Sequence, residues 1–206
     1  MEPFTTLRGR AAPLMRANLD TDVIIRIERL TQLGKDELGK YAFEAIRYLE
    51  SGEPNPAFTP GQPQFAGAPI LIAADNFGCG SSREGAVWAL QGMGFHCLIA
   101  PGYGDIFRNN CFQNGVLPII LPSDQVNELA ALAEQCREFH VDLNQCRIRV
   151  GDHQWLFEID ALRRQMLLEG LDEIALTLRS DEAVLAWQDM DRKRRPWAWP
   201  DKVATR

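Results

Sequence analysis

The sequence predicts an α/β fold built around a parallel or mixed β-sheet. Three short apolar runs, "PILIAA" at 69–74, "HCLIA" at 96–100 and "LPIIL" at 117–121, have the length and continuous hydrophobicity of strands buried on both faces. A stretch with helical character follows each run, and such alternation is typical of a sheet covered by helices.

The region before the first of these strands predicts short elements and a long loop. "DTDVIIRIERL" at 20–30 is a polar turn that leads into an apolar run. Apolar side chains at helical spacing predict a helix over 36–50. Residues 51–69 hold five of the twelve prolines, which predicts an ordered loop because proline lacks an N–H donor and restricts φ.

The elements after residue 80 follow from similar signals. Helices are predicted over 81–94, within "GDIFRNNCFQNG", and over 123–139 with Ser123 as N-cap. A hairpin around "GDH" and two C-terminal helical stretches complete the pattern. We expect one domain over residues 1–190, with 51–69 as an internal loop, and a charged tail over 191–206.

The composition restricts the class of protein. The chain has 206 residues, 46% of them hydrophobic, and a formal net charge of −6, which disfavours binding to nucleic acid or to an anionic membrane. Its apolar runs are too short to span a bilayer, and its first residues lack the apolar stretch of a secretory signal. We therefore expect a cytoplasmic protein.

The cysteines and histidines do not form a metal-binding pattern. The five cysteines include no C-x-x-C pair, and the three histidines include no i,i+4 pair. We expect no metal site within this chain, and cysteines that are reduced and mostly buried.

The segment "FGCGSSREG" at 77–85 is the main candidate site. It connects a predicted strand to a predicted helix, and ligands of open α/β sheets commonly bind at such connections. Glycines allow the backbone to turn sharply, and N–H groups at a helix start have no partner within the helix. Gly78, Cys79 and Gly80 are therefore a candidate backbone cradle for an anion.

The side chains of this segment suit a small anion as well. Ser81 and Ser82 supply hydroxyls, and Arg83 supplies a planar donor group that fits a carboxylate or phosphate. Alternatively, one serine caps the helix, and Arg83 and Glu84 are solvated residues of its first turn.

Other motifs fit poorly. The segment lacks the G-K-[ST] of a P-loop, the third glycine of a dinucleotide fingerprint and the G-x-S-x-G of a hydrolase. Cys79 is a candidate thiol nucleophile, because a helix N-terminus lowers a thiol pKa, but no histidine lies near it in sequence.

Several motifs together resemble one family. "NFGCGSSRE" at 76–84 and "NLDTDVII" at 18–25 resemble two signatures of the small subunits of 3-isopropylmalate dehydratase, the swivelling-domain part of the aconitase superfamily. "IAPGYGDIFRNNCFQNGVLPI" at 99–119 and "IDALRRQMLLEGLDEIALTL" near the C-terminus also fit. The resemblance covers roughly residues 5–190 and implies a swivelling β/β/α domain with a mixed sheet flanked by helices.

The resemblance also implies an activity and a partner. Members of the family interconvert 2- and 3-isopropylmalate by dehydration to isopropylmaleate and rehydration, a step of leucine biosynthesis. A [4Fe-4S] cluster with one open iron acts as a Lewis acid, and in the two-chain enzymes the large subunit holds it. This chain would then be a cluster-free subunit of a heterodimer or larger complex, active only with its partner on a small dicarboxylate.

The resemblance assigns roles to individual residues. Ser81 would be the base that removes the proton α to a carboxylate, assisted by backbone donors and by the nearby Arg83. Ser82 and Arg83 would hold a substrate carboxylate. Thr21 and Asp22 match a polar turn on the substrate side, and Asp22 would orient groups that face the cluster.

Three departures from the family pattern leave the exact substrate open. Gly85 replaces the usual histidine, Arg26 replaces a proline, and Lys35 stands near the place of an arginine. Lys35 could act as a point charge, Arg26 could supply the guanidinium instead, or both could be surface residues. The alternatives are a paralogue acting on citraconate/2-methylmalate or another substituted malate, a non-catalytic anion-binding module, and a hydrolase that uses Cys79.

Overall fold

A computed structural model of the chain describes residues 1–80 and 83–199, and within them one seven-stranded mixed sheet carries the fold. The strands are β1 (Thr6–Leu14), β2 (Ile70–Ala73), β3 (Cys97–Ala100), β4 (Leu117–Ile120), β5 (Glu138–Asp142), β6 (Arg147–Val150) and β7 (His153–Leu156). Their order across the sheet is β4-β3-β2-β1-β5-β6-β7. The α/β class predicted from the apolar runs is confirmed.

The helices surround this sheet. They are α1 (Thr21–Ile24), α2 (Ile27–Gln32), α3 (Glu44–Arg47), α4 (Glu84–Gly92), α5 (Asp105–Gln113), α6 (Ser123–Glu134), α7 (Ala161–Glu169), α8 (Glu173–Leu178) and α9 (Asp181–Arg194). Short 3₁₀ segments cover Lys35–Tyr41, Thr59–Gly61, Pro63–Phe65 and Pro196–Ala198. Among the described residues, no helix is long and apolar enough to cross a membrane.

Strand β1 joins a parallel half of the sheet to an antiparallel half. Its residues 11–14 pair in parallel with β2, and its residues 6–10 pair antiparallel with β5. β2, β3 and β4 continue in parallel, whereas β5, β6 and β7 form an antiparallel meander. The carboxyl ends of β1 and β2 therefore lie side by side at one edge of the sheet.

The core lies on both faces of the parallel strands. Along β2, Leu71 and Ala73 pack into the cluster that contains Phe77 and Phe107, while Ile70 and Ile72 pack into the opposite cluster. This two-sided burial explains why the strand is continuously apolar in sequence.

Three sequence-based assignments need correction. The predicted helix over 36–50 is a 3₁₀ segment followed by the short α3, because Phe43 between them has a left-handed backbone with φ of 59°. The helix predicted to reach residue 139 ends at Glu134, and the chain returns as β5. Pro122 stands at the N-cap of α6, and Ser123 is the first helical residue, with no side-chain cap.

Two further segments add to the sequence-based description. The proline-rich stretch 51–69 contains two 3₁₀ turns whose Phe58 and Phe65 are buried, so this loop is part of the core. Helix α9 runs across the predicted boundary at 190/191, and Asp191 within it accepts hydrogen bonds from Arg195 and Trp199.

Candidate functional site

Two turns meet at the carboxyl ends of β1 and β2. The turn after β1, residues 18–22, and the turn after β2, residues 75–80, are joined by backbone hydrogen bonds. The Gly78 N–H donates to the Leu19 carbonyl at 2.8 Å, and the Thr21 N–H donates to the Cys79 carbonyl at 3.0 Å. The two motifs singled out in the sequence are therefore neighbours in space, at the edge where α/β proteins commonly bind ligands.

A third segment supports the second turn from behind. The Phe77 N–H donates to the Gly102 carbonyl at 3.1 Å, and the Gly104 N–H donates to the Phe77 carbonyl at 3.0 Å. A Cβ at Gly104 would lie 2.5 Å from the Gly78 carbonyl oxygen. The turn at 75–80 is thus held between the turn after β1 and the segment after β3.

Two glycines of the predicted cradle are required by its geometry. Gly78 and Gly80 have φ of 69° and 85°, which L side chains rarely adopt. A Cβ would lie 2.3 Å from the Phe107 ring at Gly78, and 2.0 Å from a carboxylate oxygen of Asp20 at Gly80. Of the three predicted cradle residues, Gly78 already donates its N–H to the Leu19 carbonyl.

An ion pair joins the turn after β1 to the residue that precedes α4. Arg83 directly precedes this helix in an extended conformation, and its guanidinium contacts the carboxylate of Asp22. The Arg83 side chain is only 17% exposed, whereas that of Asp22 is 50% exposed. The atom of Arg83 that makes this contact is Nη1. The structure thus brings Arg83 and Asp22 together, as the sequence alone could not show.

The first of the two motif aspartates has a structural role that sequence reasoning missed. The carboxylate of Asp20 accepts a hydrogen bond of 2.7 Å from the Asp22 N–H and so caps α1. An aspartate at a helix N-cap is a recognisable sequence signal. Thr21, the next residue, is buried. Asp20 therefore orients the turn from which Asp22 projects.

Asn114 fixes the first turns of α4. Its Nδ2 donates to Glu84 at 2.8 Å, and its Oδ1 accepts from the Trp88 indole N–H at 2.9 Å. Sequence reasoning assigned no role to these side chains, since their contacts depend on how α4 packs against the end of α5. These hydrogen bonds join the start of α4, next to Arg83, to the end of α5.

The space beside Gly85 is filled by a neighbouring side chain. A Cβ at this position would lie 2.2 Å from Cδ2 of Leu30 on α2. Leu30 therefore occupies the space beside the α4 backbone that a side chain at position 85 would need. Glycine at position 85 therefore lets α2 pack closely against the first turn of α4.

Ser81 and Ser82, the predicted base and carboxylate-binding hydroxyl, lie outside the described residues. The residues on either side, Gly80 and Arg83, are described, and both belong to the cluster formed by the two turns. The roles of the two serines remain predictions.

Lys35 and Arg26 lie beside groups other than Asp22 and Arg83. Nζ of Lys35 lies 5.2 Å from the centroid of the Trp88 ring, a cation–π contact. Arg26 is exposed at the start of α2 and lines a groove with Glu44. In the described part of the chain, neither side chain forms an ion pair or hydrogen bond with Asp22 or Arg83.

Glu44 in that groove is paired with another arginine. The Arg29 guanidinium donates to its two carboxylate oxygens at 2.9 and 2.6 Å. These hydrogen bonds lower the pKa of the Glu44 carboxyl and raise that of Arg29. The pair holds α2 to α3 beside the candidate site.

Cys79 makes no hydrogen bond with any of the three histidines in the described residues. His140 contacts Arg149 in the antiparallel half of the sheet, and His153 stacks on Trp155 of β7. A cysteine hydrolase needs a thiol and an imidazole in contact, so the described geometry does not favour that reading. No group of three or more His, Cys, Asp or Glu within residues 1–80 and 83–199 is arranged to hold a metal ion.

The chain is similar in sequence and in fold to known proteins. The aconitase C-terminal domain family matches residues 1–124. The 3-isopropylmalate dehydratase small subunit of Cupriavidus necator is 47% identical and aligns over 96% of this chain and 98% of its own length. That of Rhodospirillum centenum is 46% identical over 96% and 99% of the two chains.

A solved structure extends the likeness to the fold. The 3-isopropylmalate dehydratase structure from Methanocaldococcus jannaschii superposes with a TM-score of 0.63 at 25% identity, covering 89% of this chain and 99% of that one. The swivelling-domain fold expected from the motifs is thereby confirmed. The chain belongs to the family of 3-isopropylmalate dehydratase small subunits, within the aconitase superfamily.

Proposed function

We propose that this chain is the small subunit of a two-chain hydro-lyase that interconverts 2- and 3-isopropylmalate through isopropylmaleate, in the cytoplasm, for leucine biosynthesis. The observation that carries the proposal is the Asp22–Arg83 pair at the start of α4, where the two motif turns meet. Relatives that align over nearly their full length bear the corresponding name.

Arg83 would bind one carboxylate of the substrate. A guanidinium has five N–H donors in a planar arrangement, so contact with Asp22 leaves donors for a second carboxylate. Low exposure of the Arg83 side chain limits competition from water. Asp22 would hold the guanidinium in orientation, and the Ser82 hydroxyl would add a further donor.

Ser81 would remove the proton on the carbon α to a carboxylate. As that C–H bond breaks, its electron pair would form the C=C bond of isopropylmaleate while the C–O bond to the hydroxyl breaks. The proton would go to Ser81 and the hydroxide would leave, together the elements of one water. Re-addition of both with the opposite regiochemistry would complete the isomerisation. A serine hydroxyl is a weak base, so the N-terminus of α4 and the positive charge of Arg83 would have to stabilise its deprotonated form.

A partner chain would hold the [4Fe-4S] cluster. Cys97 and Cys111 are buried in the core, and the sequence contains no C-x-x-C pair, so these thiols fit an apolar interior rather than a cluster. Bound on the large subunit, the cluster would supply Lewis-acid chemistry at the substrate hydroxyl and one carboxylate. This chain would contribute the base and the carboxylate-binding side chains.

Exposed apolar side chains beside the candidate site support a partner. Ile174 at the start of α8 is 72% exposed and lines one groove with Glu84 of α4. Leu178, one turn further along α8, and Leu185 and Trp187 on α9 are also exposed. Such surfaces next to a site commonly mark an interface.

Reconstitution tests the proposed activity. The purified chain would be mixed anaerobically with a cluster-loaded large subunit from the same genome, and isopropylmaleate formation from 3-isopropylmalate would be followed. We expect activity only in the mixture, loss of turnover in Ser81→Ala, and a raised KM in Arg83→Lys. The matched controls are Ser123→Ala at the start of α6 and Arg149→Lys on β6, both exposed and outside the two site turns, and they should keep full activity.

Other outcomes redirect the proposal. Turnover of citraconate or another substituted malate, but not of isopropylmalate, would keep the reaction type and change the substrate. No turnover of any malate by a stable, cluster-loaded complex would contradict catalysis and favour an anion-binding module.

A pair of variants tests the partner surface. We expect Ile174→Asp to weaken association with the large subunit by at least about tenfold, because a charge would be buried at an apolar contact. Leu156→Asp is the control, since Leu156 is similarly exposed, at 69%, but lies on the edge strand β7. Equal affinities of the two variants would place the partner elsewhere.

A further inference from the structure

Two asparagines stand at the roots of the two site turns. Asn18 and Asn76 have left-handed backbones, with φ of 53° and 58°. Nδ2 of Asn76 donates to Oδ1 of Asn18 at 2.8 Å, although the two residues are 58 positions apart in the chain. The Asn18 backbone N–H also donates to the Asp75 carbonyl at 3.0 Å.

The two asparagines do more than give each turn its left-handed backbone. Asparagine tolerates the left-handed conformation better than most residues, but glycine adopts it with less strain. Glycine would therefore satisfy either turn alone, without a side chain. The side-chain hydrogen bond between the two turns is what glycine cannot provide.

The pair lies directly upstream of the contacts that assemble the site. Two residues after Asn76, the Gly78 N–H donates to Leu19, and three residues after Asn18, the Thr21 N–H donates to Cys79. Any change in spacing at the asparagines is thus transmitted along both turns toward Asp22 and Arg83.

We propose that Asn18 and Asn76 are a positioning pair that sets the separation of the turns 18–22 and 75–80, and through it the alignment of Asp22 with Arg83. The catalytic consequence rests on the proposed function. The asparagines act through the turns and do not themselves contact substrate.

The expected effect on the fold is small, and the expected effect on alignment is large. The hydrogen bond joins two side chains that are at least partly exposed, so its loss shifts the folding equilibrium only about fivefold. A misplacement of about 1 Å at a reacting centre can cost about 100-fold in rate.

Hydrogen exchange on the isolated chain tests the pair without reference to catalysis. The variants are Asn18→Gly, Asn76→Gly and the double variant, and the control is Cys136→Gly, at another left-handed position, after α6. We expect exchange of the Gly78 and Thr21 amides to rise at least about fivefold in all three variants, while the amides of β3 stay unchanged. Unchanged exchange at Gly78 and Thr21, or an equal rise throughout the sheet, would overturn the proposal.

Aspartate substitutions test the direction of the hydrogen bond. Asn18→Asp keeps the acceptor oxygen and should protect Gly78 as the wild type does. Asn76→Asp removes the donor and should behave like Asn76→Gly. Any other order of the two aspartate variants would overturn the assignment of a side-chain hydrogen bond.

Kinetics of the reconstituted two-chain enzyme test the catalytic consequence. We expect both glycine variants to lower kcat/KM about tenfold, with a raised KM because Arg83 would bind the substrate carboxylate, and the double variant to lose no more than either single one. Wild-type kcat/KM in these variants would overturn the positioning role. If the wild-type complex is inactive on every malate, the proposed function fails, and the exchange experiment still decides whether the pair sets the spacing of the turns.

Discussion

Gly85 and Leu30 should be strongly coupled in their effects on stability. An alanine Cβ at position 85 would lie 2.2 Å from Cδ2 of Leu30, with Cδ1 and Cγ at 3.2 and 3.3 Å. All three atoms belong to one flexible side chain, so Leu30 can move, but only by repacking α2 against the first turn of α4. Such overpacking costs about 1–3 kcal/mol.

The opposing contribution is helix propensity. Alanine is favoured over glycine in a helix by about 1 kcal/mol, and somewhat less in the first turn. Subtracting this gain from the cost of overpacking, we expect Gly85→Ala to lower the free energy of unfolding by about 1 kcal/mol. In a Leu30→Ala background, where the clashing atoms are gone, the same substitution should raise it by about 0.5–1 kcal/mol.

Urea denaturation of the four proteins measures this change of sign. The coupling energy should be about 2 kcal/mol, at the upper part of the range for residues in contact. The m-values should stay equal, so that the transition midpoints report stability alone. Additive effects, within about 0.5 kcal/mol, would refute the claim that Leu30 fills the space beside Gly85.

Three further outcomes follow from single contacts. Gly80→Ala should lower the free energy of unfolding by about 2 kcal/mol or more, because the new Cβ would meet Asp20. Gly94 has a similar φ of 98° and no atom within 4 Å of a Cβ, so Gly94→Ala should lower it by only about 1 kcal/mol. Equal losses in urea midpoint would contradict this. Arg29 lowers the pKa of the Glu44 carboxyl, so their pairing stabilises the fold at pH values above the unfolded pKa of Glu44. This stability is lost as the pH falls through the folded pKa. Arg29→Met should therefore lower the urea midpoint at pH 7 and have little effect near pH 3. Burial raises the pKa of the Cys97 thiol, so an alkylating reagent at pH 8 should leave it unmodified until the chain unfolds, as peptide mapping would show.

Local patterns in the sequence were enough for much of the sheet. β2, β3 and β4 were predicted because strands buried on both faces are continuously apolar, and the hairpin of β6 and β7 was predicted from the turn "GDH" between two short strands. β1 was missed because exposed and half-buried residues alternate in its first half, so its apolar run is short. β5 was missed because it follows α6 closely and reads as its continuation.

Helical periodicity alone misled the assignment of 36–50. The apolar positions recur at helical spacing, but Gly39 lies against the backbone of Gly92, where a Cβ would be 2.2 Å from a carbonyl carbon. The left-handed Phe43 then breaks the segment. The Gly39 contact comes from packing against α4, which a local pattern does not contain.

The sequence by itself determined the chemistry available at the site: the glycines that permit the turn at 77–80, the arginine that precedes α4, and the two motifs that identify the family. Only the tertiary structure decided which of these groups meet. Parallel pairing of β1 with β2 brings Asp22 to Arg83 and Asn18 to Asn76, and packing of α2 on α4 places Leu30 over Gly85. The physical reason is that hydrogen bonds, ion pairs and close contacts act over a few ångströms in space, whereas a sequence orders residues only along the chain.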